Sequence, residues 1–152
     1  MDTAKFEPAM QAALNLAASA AEVGDVPVGA VVIDNEGKII GRGFNSREVE
    51  KNPLGHAEVN ALIDAAKTLG SWRLDDCTLV VTLEPCTMCA GAIVQSRIGR
   101  VVFGAFDEKA GAIGSLWDVV RDARLPHRPE VVSGVLANEA SEILTEFFKT
   151  KR

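Results

Sequence analysis

The chain has 152 residues, of which 47% are apolar, 24% are charged and 5% are aromatic, and these proportions exclude a disordered or fibrous protein. Its three cysteines exclude a disulfide framework, and no run of about 18 apolar residues predicts a membrane-spanning helix. The formal charge of −5 provides no overall attraction to nucleic acid, so any such contact must be local. We expect one globular domain without a leader peptide, located in a reducing cytoplasm.

The first part of the chain predicts one helix followed by a β-hairpin. Proline is tolerated in the first turn of a helix, so the apolar residues that recur at helical spacing after Pro8 predict a helix that stops at Gly24. Residues 28–34 form an apolar run typical of a buried strand. Residues 35–37 predict a turn, and residues 38–43 predict the second strand of the hairpin.

The rest of the chain alternates predicted helices and strands, a pattern typical of a sheet that helices cover on both faces. Two stretches without periodicity, 45–55 and 106–129, predict long loops, and such loops in a compact domain are often functional. The predicted elements in order are a helix over 57–69 that ends at Gly70, a strand over 77–83, a helix over 86–96, and strands over 100–104 and 131–135.

A last helix is predicted to start at the cap residue Asn138. Its apolar residues recur at helical spacing and are expected to be buried: Ile143, Leu144, Phe147 and Phe148. Three basic residues near its end form a cluster without an acidic partner: Lys149, Lys151 and Arg152. A phosphate-binding cluster and a frayed basic terminus explain these three residues equally well.

Two short motifs carry residues that could perform chemistry, and each lies where a helix is predicted to begin. They are His56-Ala57-Glu58 and Pro85-Cys86-Thr87-Met88-Cys89. Cysteines three residues apart share one face of a helix, and the positive end of the helix dipole favours their metal-binding thiolate form. With one histidine they supply three corners of a tetrahedral zinc site and leave the fourth to water, as in catalytic zinc sites. Glu58 is then the candidate for the base that moves protons.

Each motif has a simpler interpretation when it is taken alone. A Cys-x-x-Cys pair in a cytosolic protein could be a redox pair, and an isolated histidine is more often structural than a ligand. Residues two apart also do not face each other within a helix, so His56 has to lie outside the regular helix if it and Glu58 are to meet one metal ion. Together and in this order, however, the motifs match the zinc-deaminase signature H-x-E…P-C-x-x-C.

Two further residues could bind ligands but have other interpretations. Cys77 lies at the start of a predicted strand and outside both motifs, which favours a small buried side chain. His127 lies between Pro126 and Arg128 in a predicted loop, where it could bind phosphate, although simple exposure to solvent is slightly favoured.

Longer runs of sequence surround the two motifs. Four of them are DVPVGA (25–30), GFN (43–45), HAE (56–58) and TLEPCTMCAGAI (82–93). Four more discriminating runs are RVVFGA (100–105), DEKAGAIGSL (107–116), HR (127–128) and FFK (147–149). On these runs the chain resembles, over nearly its whole length, the bacterial tRNA-specific adenosine deaminases of the cytidine deaminase superfamily.

The resemblance implies a three-layer α/β/α fold around a mixed five-stranded sheet, with residues 1–152 forming a single zinc-dependent deaminase domain. It implies hydrolysis of adenosine to inosine at the wobble position of a tRNA anticodon, an arginine tRNA above all, by a homodimer whose two chains shape the RNA site. It implies these site residues: His56, Cys86 and Cys89 as zinc ligands, Glu58 as the proton carrier, Asn45 as a hydrogen-bond partner of the target base, and Asp107, Lys109 and Phe148 as contacts of the flanking nucleotides.

The chain departs from the family pattern at two places. It has Asn52-Pro53-Leu54-Gly55 where relatives commonly have Asp-Pro-Thr-Ala, and Pro126 where an asparagine is usual. Two other interpretations therefore stay open. The first is a deaminase of small nucleobases, such as a guanine deaminase. The second is a zinc-stabilised or redox Cys-x-x-Cys binding module, against which Glu58 argues because a structural zinc needs a fourth ligand and no base.

Overall fold

The computed structural model describes residues 2–151. These residues form five α-helices and five β-strands, preceded by a 3-10 turn at Ala4–Phe6. The helices are α1 (Glu7–Glu22), α2 (Arg47–Glu50), α3 (Ala57–Leu69), α4 (Thr87–Gln95) and α5 (Ala137–Thr150). The strands are β1 (Gly29–Ile33), β2 (Ile39–Phe44), β3 (Thr78–Leu83), β4 (Arg100–Ala105) and β5 (Glu130–Ser133). Within the described residues, no helix has the length and apolar character needed to cross a membrane.

The five strands form one mixed sheet in the order β2-β1-β3-β4-β5. β1 pairs antiparallel with β2 and with β3, whereas β3, β4 and β5 run parallel to one another. Parallel neighbours need a crossover connection, and α4 lies in the connection between β3 and β4. This sheet and its alternation with helices confirm the predicted fold class.

Helices cover both faces of the sheet and make it the middle of three layers. α3 and α4 pack on the face that carries Ala30 and Val32 of β1, whereas α1 and α5 pack on the face that carries Val31 and Ile33. All of these side chains are buried, because successive residues of a strand point to opposite faces and both faces are covered. β1 is therefore a continuous apolar run rather than an alternating one.

Glycines in β2 allow helix α3 to lie directly on the sheet. A Cβ atom on Gly43 would lie 2.5 Å from the carbonyl oxygen of Ala57 and 2.5 Å from the amide nitrogen of Ala61. A Cβ atom on Gly41 would lie 2.5 Å from the carbonyl oxygen of Ala61. Because only hydrogen fits at these two positions, the first turns of α3 lie at a fixed height above β2.

Most predicted elements are present with ends that shift by one or two residues, and α3 has the predicted bounds. The exception is α2 (Arg47–Glu50), a single turn inside the predicted loop 45–55. Its residues have no apolar periodicity, and the buried carboxylate of Asp25 accepts the backbone N–H groups of Glu48 and Val49. A cap supplied by a residue more than twenty positions away leaves no local signal in the sequence.

The last helix begins earlier and is less buried than the sequence predicts. Asn138 does not cap it, because α5 begins at Ala137, directly after Leu136 in a left-handed conformation. The predicted core residues are not fully buried: Ile143, Leu144 and Phe147 are half-buried, and Phe148 is 48% exposed. Helical spacing identifies the apolar face of α5 but not its depth of burial, which depends on the elements that it contacts, β4, β3 and α1.

We predict that Gly43→Ala lowers the free energy of unfolding by about 1–3 kcal/mol, because the added methyl group would overlap backbone atoms of α3. Urea denaturation measures the change. The matched control is Gly91→Ala in α4, where a Cβ atom meets nothing within 4 Å and alanine favours the helix by about 0.5–1 kcal/mol. Effects of the same sign and size in the two variants would contradict the close approach of α3 to β2.

Candidate metal centre and active site

The starts of two helices bring the predicted metal ligands together. β3 and β4 are parallel, so their carboxyl ends lie at the same edge of the sheet, and α4 begins shortly after β3 ends. Cys86 directly precedes α4 and His56 directly precedes α3, both with extended backbone. His56 therefore lies outside the regular helix, as the spacing of the motif required, whereas Glu58 lies in the first turn of α3.

The three side chains are close enough to bind one metal ion. The Nδ1 atom of His56 lies 3.6 Å from the Sγ atom of Cys86 and 3.4 Å from the Sγ atom of Cys89. All three ligand atoms lie within 4.8 Å of one another. Tetrahedral zinc, with bonds of about 2.0 Å to nitrogen and 2.3 Å to sulfur, separates such a pair of ligand atoms by about 3.5 Å. The observed separations therefore fit zinc without rearrangement.

The thiols of the two cysteine ligands have opposite pKa shifts. The hydrogen bond between the two sulfurs lowers the pKa of Cys86 to about 3, aided by His56, and raises the pKa of Cys89. The pKa of His56 is raised, mainly by its hydrogen bond to Cys86. Metal ions bind thiolate rather than thiol, so a metal ion that enters this group takes the place of the proton that Cys89 holds.

Glu58 is buried beside these ligands, with 4% of its surface exposed. Burial raises the pKa of its carboxyl group to about 7, against a backbone hydrogen bond and the charge of His56. A carboxyl group with this pKa exchanges protons readily at neutral pH, as a general acid–base catalyst must. Its carboxyl group is not among the three side chains whose ligand atoms lie within 4.8 Å of one another.

A cavity of about 220 Å³ lies beside Glu58 and His56. Among the described residues that line it, Arg47 is the one basic side chain of the lysine or arginine type, and five side chains are acidic. The acidic residues are Asp25, Glu48, Glu58, Glu84 and Asp107. Such walls favour groups that donate hydrogen bonds, among them the amino groups of nucleobases, over phosphate groups.

The predicted substrate-binding residues are divided between this cavity and the surface. Asn45 and Asp107 line the cavity. The side-chain amide of Asn45 donates to one backbone carbonyl and its Oδ1 atom accepts one backbone N–H, so this side chain is held in the wall. Lys109 and Phe148 are exposed and are not among the lining residues.

Two buried carboxylates in the cavity walls have no counterpart among the predicted site residues. Asp25 is 0% exposed, and Glu84 is 2% exposed. Burial disfavours the charge on Glu84, but hydrogen bonds from Ser115 and from backbone N–H groups outweigh it and lower the pKa of Glu84. The available signal was an acidic residue at the end of an apolar run: Asp25 precedes VPVGA, and Glu84 follows the apolar strand that ends at Leu83.

Cys77 and His127 have structural environments. Cys77 is 4% exposed and burial raises the pKa of its thiol, which confirms the prediction of a buried side chain outside the metal site. His127 is half-buried, and its Nε2 atom is hydrogen-bonded to the backbone carbonyl of Ile98. The slightly favoured prediction of a solvated His127 is therefore wrong, because this contact ties the long loop to the residues before β4.

The basic end of α5 is partly paired. The Nζ atom of Lys149 lies 3.6 Å from a carboxylate oxygen of Glu146, so the prediction that this cluster has no acidic partner is wrong. The Nζ atom of Lys151 lies 5.4 Å from the centre of the Phe147 ring. Arg152, the third member of the cluster, lies outside the described residues.

Comparison with known proteins identifies the family. Residues 4–152 match the model of the MafB19-like deaminases. The chain is 50% identical to the tRNA-specific adenosine deaminase of Haemophilus influenzae, over 100% of this chain and 91% of that protein. It is also 50% identical to the tRNA-specific adenosine deaminase of Bacillus subtilis, over 94% and 88% of the two chains. The chain belongs to the tRNA-specific adenosine deaminase family.

Solved structures of deaminases share the fold of this family member. A chain from a study of A-to-I editing by tRNA:A34 deaminases is 41% identical, with a TM-score of 0.86 over 90% of this chain and 99% of that one. A guanine deaminase from Nitrosomonas europaea is 27% identical, with a TM-score of 0.78 over 93% and 83% of the two chains. One fold thus serves deaminases of different substrates, so the substrate has to be argued from the site.

Proposed function

We propose that this protein is a zinc-dependent hydrolytic deaminase that converts adenosine to inosine at the wobble position of a tRNA anticodon, with an arginine tRNA as its substrate. The observation that carries the proposal is the buried Glu58 beside three metal-binding side chains and a small cavity. The two bacterial relatives at 50% identity, each named a tRNA-specific adenosine deaminase, support the same reaction.

Zinc is the metal that the ligand group favours. One imidazole nitrogen and two sulfurs, at separations that match tetrahedral geometry, are typical ligands of a catalytic zinc site. A zinc ion bound there would lower the pKa of a water molecule in its fourth position from 15.7 to about 7. His56, Cys86 and Cys89 would hold the ion, and Glu58 would stay free to move protons.

Glu58 performs the proton transfers of the proposed reaction. Hydrolysis forms a bond from C6 of the purine to a water oxygen and breaks the bond from C6 to the amino nitrogen, giving inosine and ammonia. Glu58 takes a proton from the attacking water and delivers it to the purine N1, and it then takes the second proton from the hydroxyl group on C6 and delivers it to the leaving amino group, which departs as ammonia while C6 becomes the carbonyl of inosine. Its raised pKa of about 7 suits both directions of transfer at neutral pH.

In this proposal the cavity binds the target base, and residues around the cavity contact the flanking nucleotides. The volume of about 220 Å³ is below the roughly 300–1,000 Å³ of sites for drug-sized ligands, which favours one extruded base. Asn45 binds that base, and Asp107, Lys109 and Phe148 contact the flanking nucleotides. An unpaired anticodon base is easily extracted, and stacking adds about 1–3 kcal/mol per base, so local contacts offset the acidic charge of the chain.

The proposal includes a cytoplasmic homodimer in which residues 1–152 of each chain form one zinc-dependent domain. The loop that supplies one cavity wall exposes three large apolar side chains: Phe106, Leu116 and Trp117 are 56%, 57% and 60% exposed. A second chain would cover such a surface. Light scattering at micromolar concentration distinguishes this dimer from a monomer.

Deamination of guanine is the second candidate function. The observation that favours it is the TM-score of 0.78 with the guanine deaminase from Nitrosomonas europaea. The identity of 27% to that enzyme is well below the 50% shared with the tRNA-specific relatives, so the tRNA reaction has the stronger support.

We predict that the purified protein holds one zinc ion per chain and that Cys86→Ala loses it, because only two ligands remain. Cys77→Ala is the matched control, since this buried cysteine lies outside the ligand group. Elemental analysis measures the metal, and chelation should lower the thermal midpoint because the ligands tie two helix starts together. Unchanged zinc in Cys86→Ala would show that the site is misassigned.

We predict that Glu58→Gln keeps its zinc but loses at least about 10²–10⁴-fold in turnover, because the amide preserves the shape of the side chain and cannot carry a proton. Inosine formation and zinc content are measured on the same preparation. Near-normal turnover by the zinc-loaded variant would remove Glu58 from the mechanism.

We predict that an anticodon stem-loop of an arginine tRNA with adenosine at the wobble position yields inosine, whereas free adenosine, guanine and cytidine yield no product. Chromatography separates inosine, xanthine and uridine, and a stem-loop with guanosine at the wobble position is the matched control. Xanthine from guanine with unchanged RNA would replace the proposal with a nucleobase deaminase. No product from any substrate, with zinc bound, would favour the binding-module interpretation.

A further inference from the structure

The buried carboxylate of Glu84 accepts hydrogen bonds from a segment that forms one wall of the cavity. Its Oε1 atom accepts the backbone N–H of Asp107 at 3.0 Å and the hydroxyl of Ser115. Its Oε2 atom accepts the backbone N–H groups of Ile113 at 2.9 Å and of Ser115 at 3.1 Å. With only 2% of the residue exposed, residues 107–115, here called the wall loop, supply the hydrogen bonds that water would otherwise provide.

The backbone around Glu84 strengthens this link. The N–H of Glu84 donates to the carbonyl of Ala105, and the N–H of Ala112 donates to the carbonyl of Pro85, both at 2.8 Å. A Cβ atom on Gly111 would lie 2.3 Å from the Cδ atom of Glu84, so the wall loop closes over the carboxylate because this position is glycine. The wall loop is therefore joined to the segment that leads directly into the first metal-binding cysteine.

Asp25 makes a smaller link of the same kind in another wall. Its two carboxylate oxygens accept the backbone N–H groups of Glu48 and Val49, each at 3.0 Å, and the residue is fully buried. Asp25 and Glu48 both line the cavity. Helix α2 and the wall loop, which come from different parts of the chain, are thus each held by hydrogen bonds to a buried carboxylate.

We propose that Glu84 is a positioning residue, and that Asp25 has the same role for helix α2. Glu84 holds the wall loop against the segment that precedes Cys86, which keeps Asp107 at a fixed place relative to Glu58. Neither carboxylate binds the metal or carries protons. The kinetic consequence rests on the proposed function, whereas the fastening of the two segments does not.

Glu84→Gln disrupts the hydrogen bonds of this side chain while it keeps its packing. Glutamine has the shape of glutamate but replaces one acceptor oxygen with an NH2 group, which would face groups that also donate. A donor that faces a donor loses its hydrogen bond and leaves a buried group unpaired, while van der Waals contacts remain. Asp25→Asn makes the same change beneath α2 and is the matched comparison.

Hydrogen exchange of the substrate-free proteins measures directly how strongly the wall loop and α2 are held. In Glu84→Gln we expect amides of the wall loop to exchange at least about tenfold faster, the scale of one lost hydrogen bond to a charged group, while Glu48 and Val49 keep wild-type rates. In Asp25→Asn we expect the reverse. Wild-type exchange of the wall loop in Glu84→Gln, or an equal rise along the whole chain in both variants, would overturn the proposal.

Steady-state kinetics on the RNA stem-loop, at equal zinc content, tests the consequence for the reaction. We expect Glu84→Gln to raise KM about tenfold and to change kcat less than about threefold, because Asp107 moves while Glu58 stays in place. A loss confined to kcat would overturn the positioning role. If the wild-type protein does not act on the stem-loop, the proposed function fails. Hydrogen exchange alone then tests whether Glu84 holds the wall loop.

Ser115 provides a milder variant in case Glu84→Gln does not fold. Ser115→Ala removes the hydroxyl donor and leaves the backbone donors in place, so we expect a smaller rise in exchange that is confined to the wall loop. Ser115→Thr keeps a hydroxyl group and is expected to restore the wild-type rate. With Glu84→Gln unmeasurable, wild-type exchange in Ser115→Ala would overturn the proposal.

Discussion

The contact between the starts of α3 and α4 is the constraint on which the rest of this structure depends. His56 lies at the start of α3, and Cys86 and Cys89 lie at the start of α4. The Nδ1 atom of His56 is nevertheless only 3.6 Å from the Sγ atom of Cys86 and 3.4 Å from that of Cys89. Parallel pairing of β3 with β4 places the start of α4 at one edge of the sheet. Close packing of α3 on Gly41 and Gly43 places His56 at the same edge.

Two buried carboxylates of this site have opposite pKa shifts. Glu58 is withdrawn from water, and burial raises its pKa to about 7, which suits a group that exchanges protons. Burial also acts on Glu84, but hydrogen bonds from Ser115 and from backbone N–H groups outweigh it and lower its pKa. The number of donors that face each carboxylate therefore distinguishes the proposed proton carrier, Glu58, from the proposed positioning residue, Glu84.

The sequence by itself determined the features that depend on neighbours along the chain. The bounds of α3 follow from its helical period and from Gly70, which ends it in a left-handed conformation. The spacing of the two motifs predicted the ligand group of His56, Cys86 and Cys89, and also that His56 lies outside the helix. The features within each motif involve residues within about one helical turn of each other, whereas His56 and Cys86 are 30 residues apart and were joined in the prediction only by the order of the two motifs.

Only the tertiary structure decided the features whose partners lie far away in the sequence. Asp25 caps α2 from 23 and 24 residues away, and Glu84 accepts from backbone groups 23 to 31 residues away. Likewise, the depth of burial of α5 depends on the elements that it contacts, β4, β3 and α1. Every residue except proline carries the backbone N–H groups that these carboxylates bind, so their partners have no distinguishing residue type that a sequence pattern could reveal.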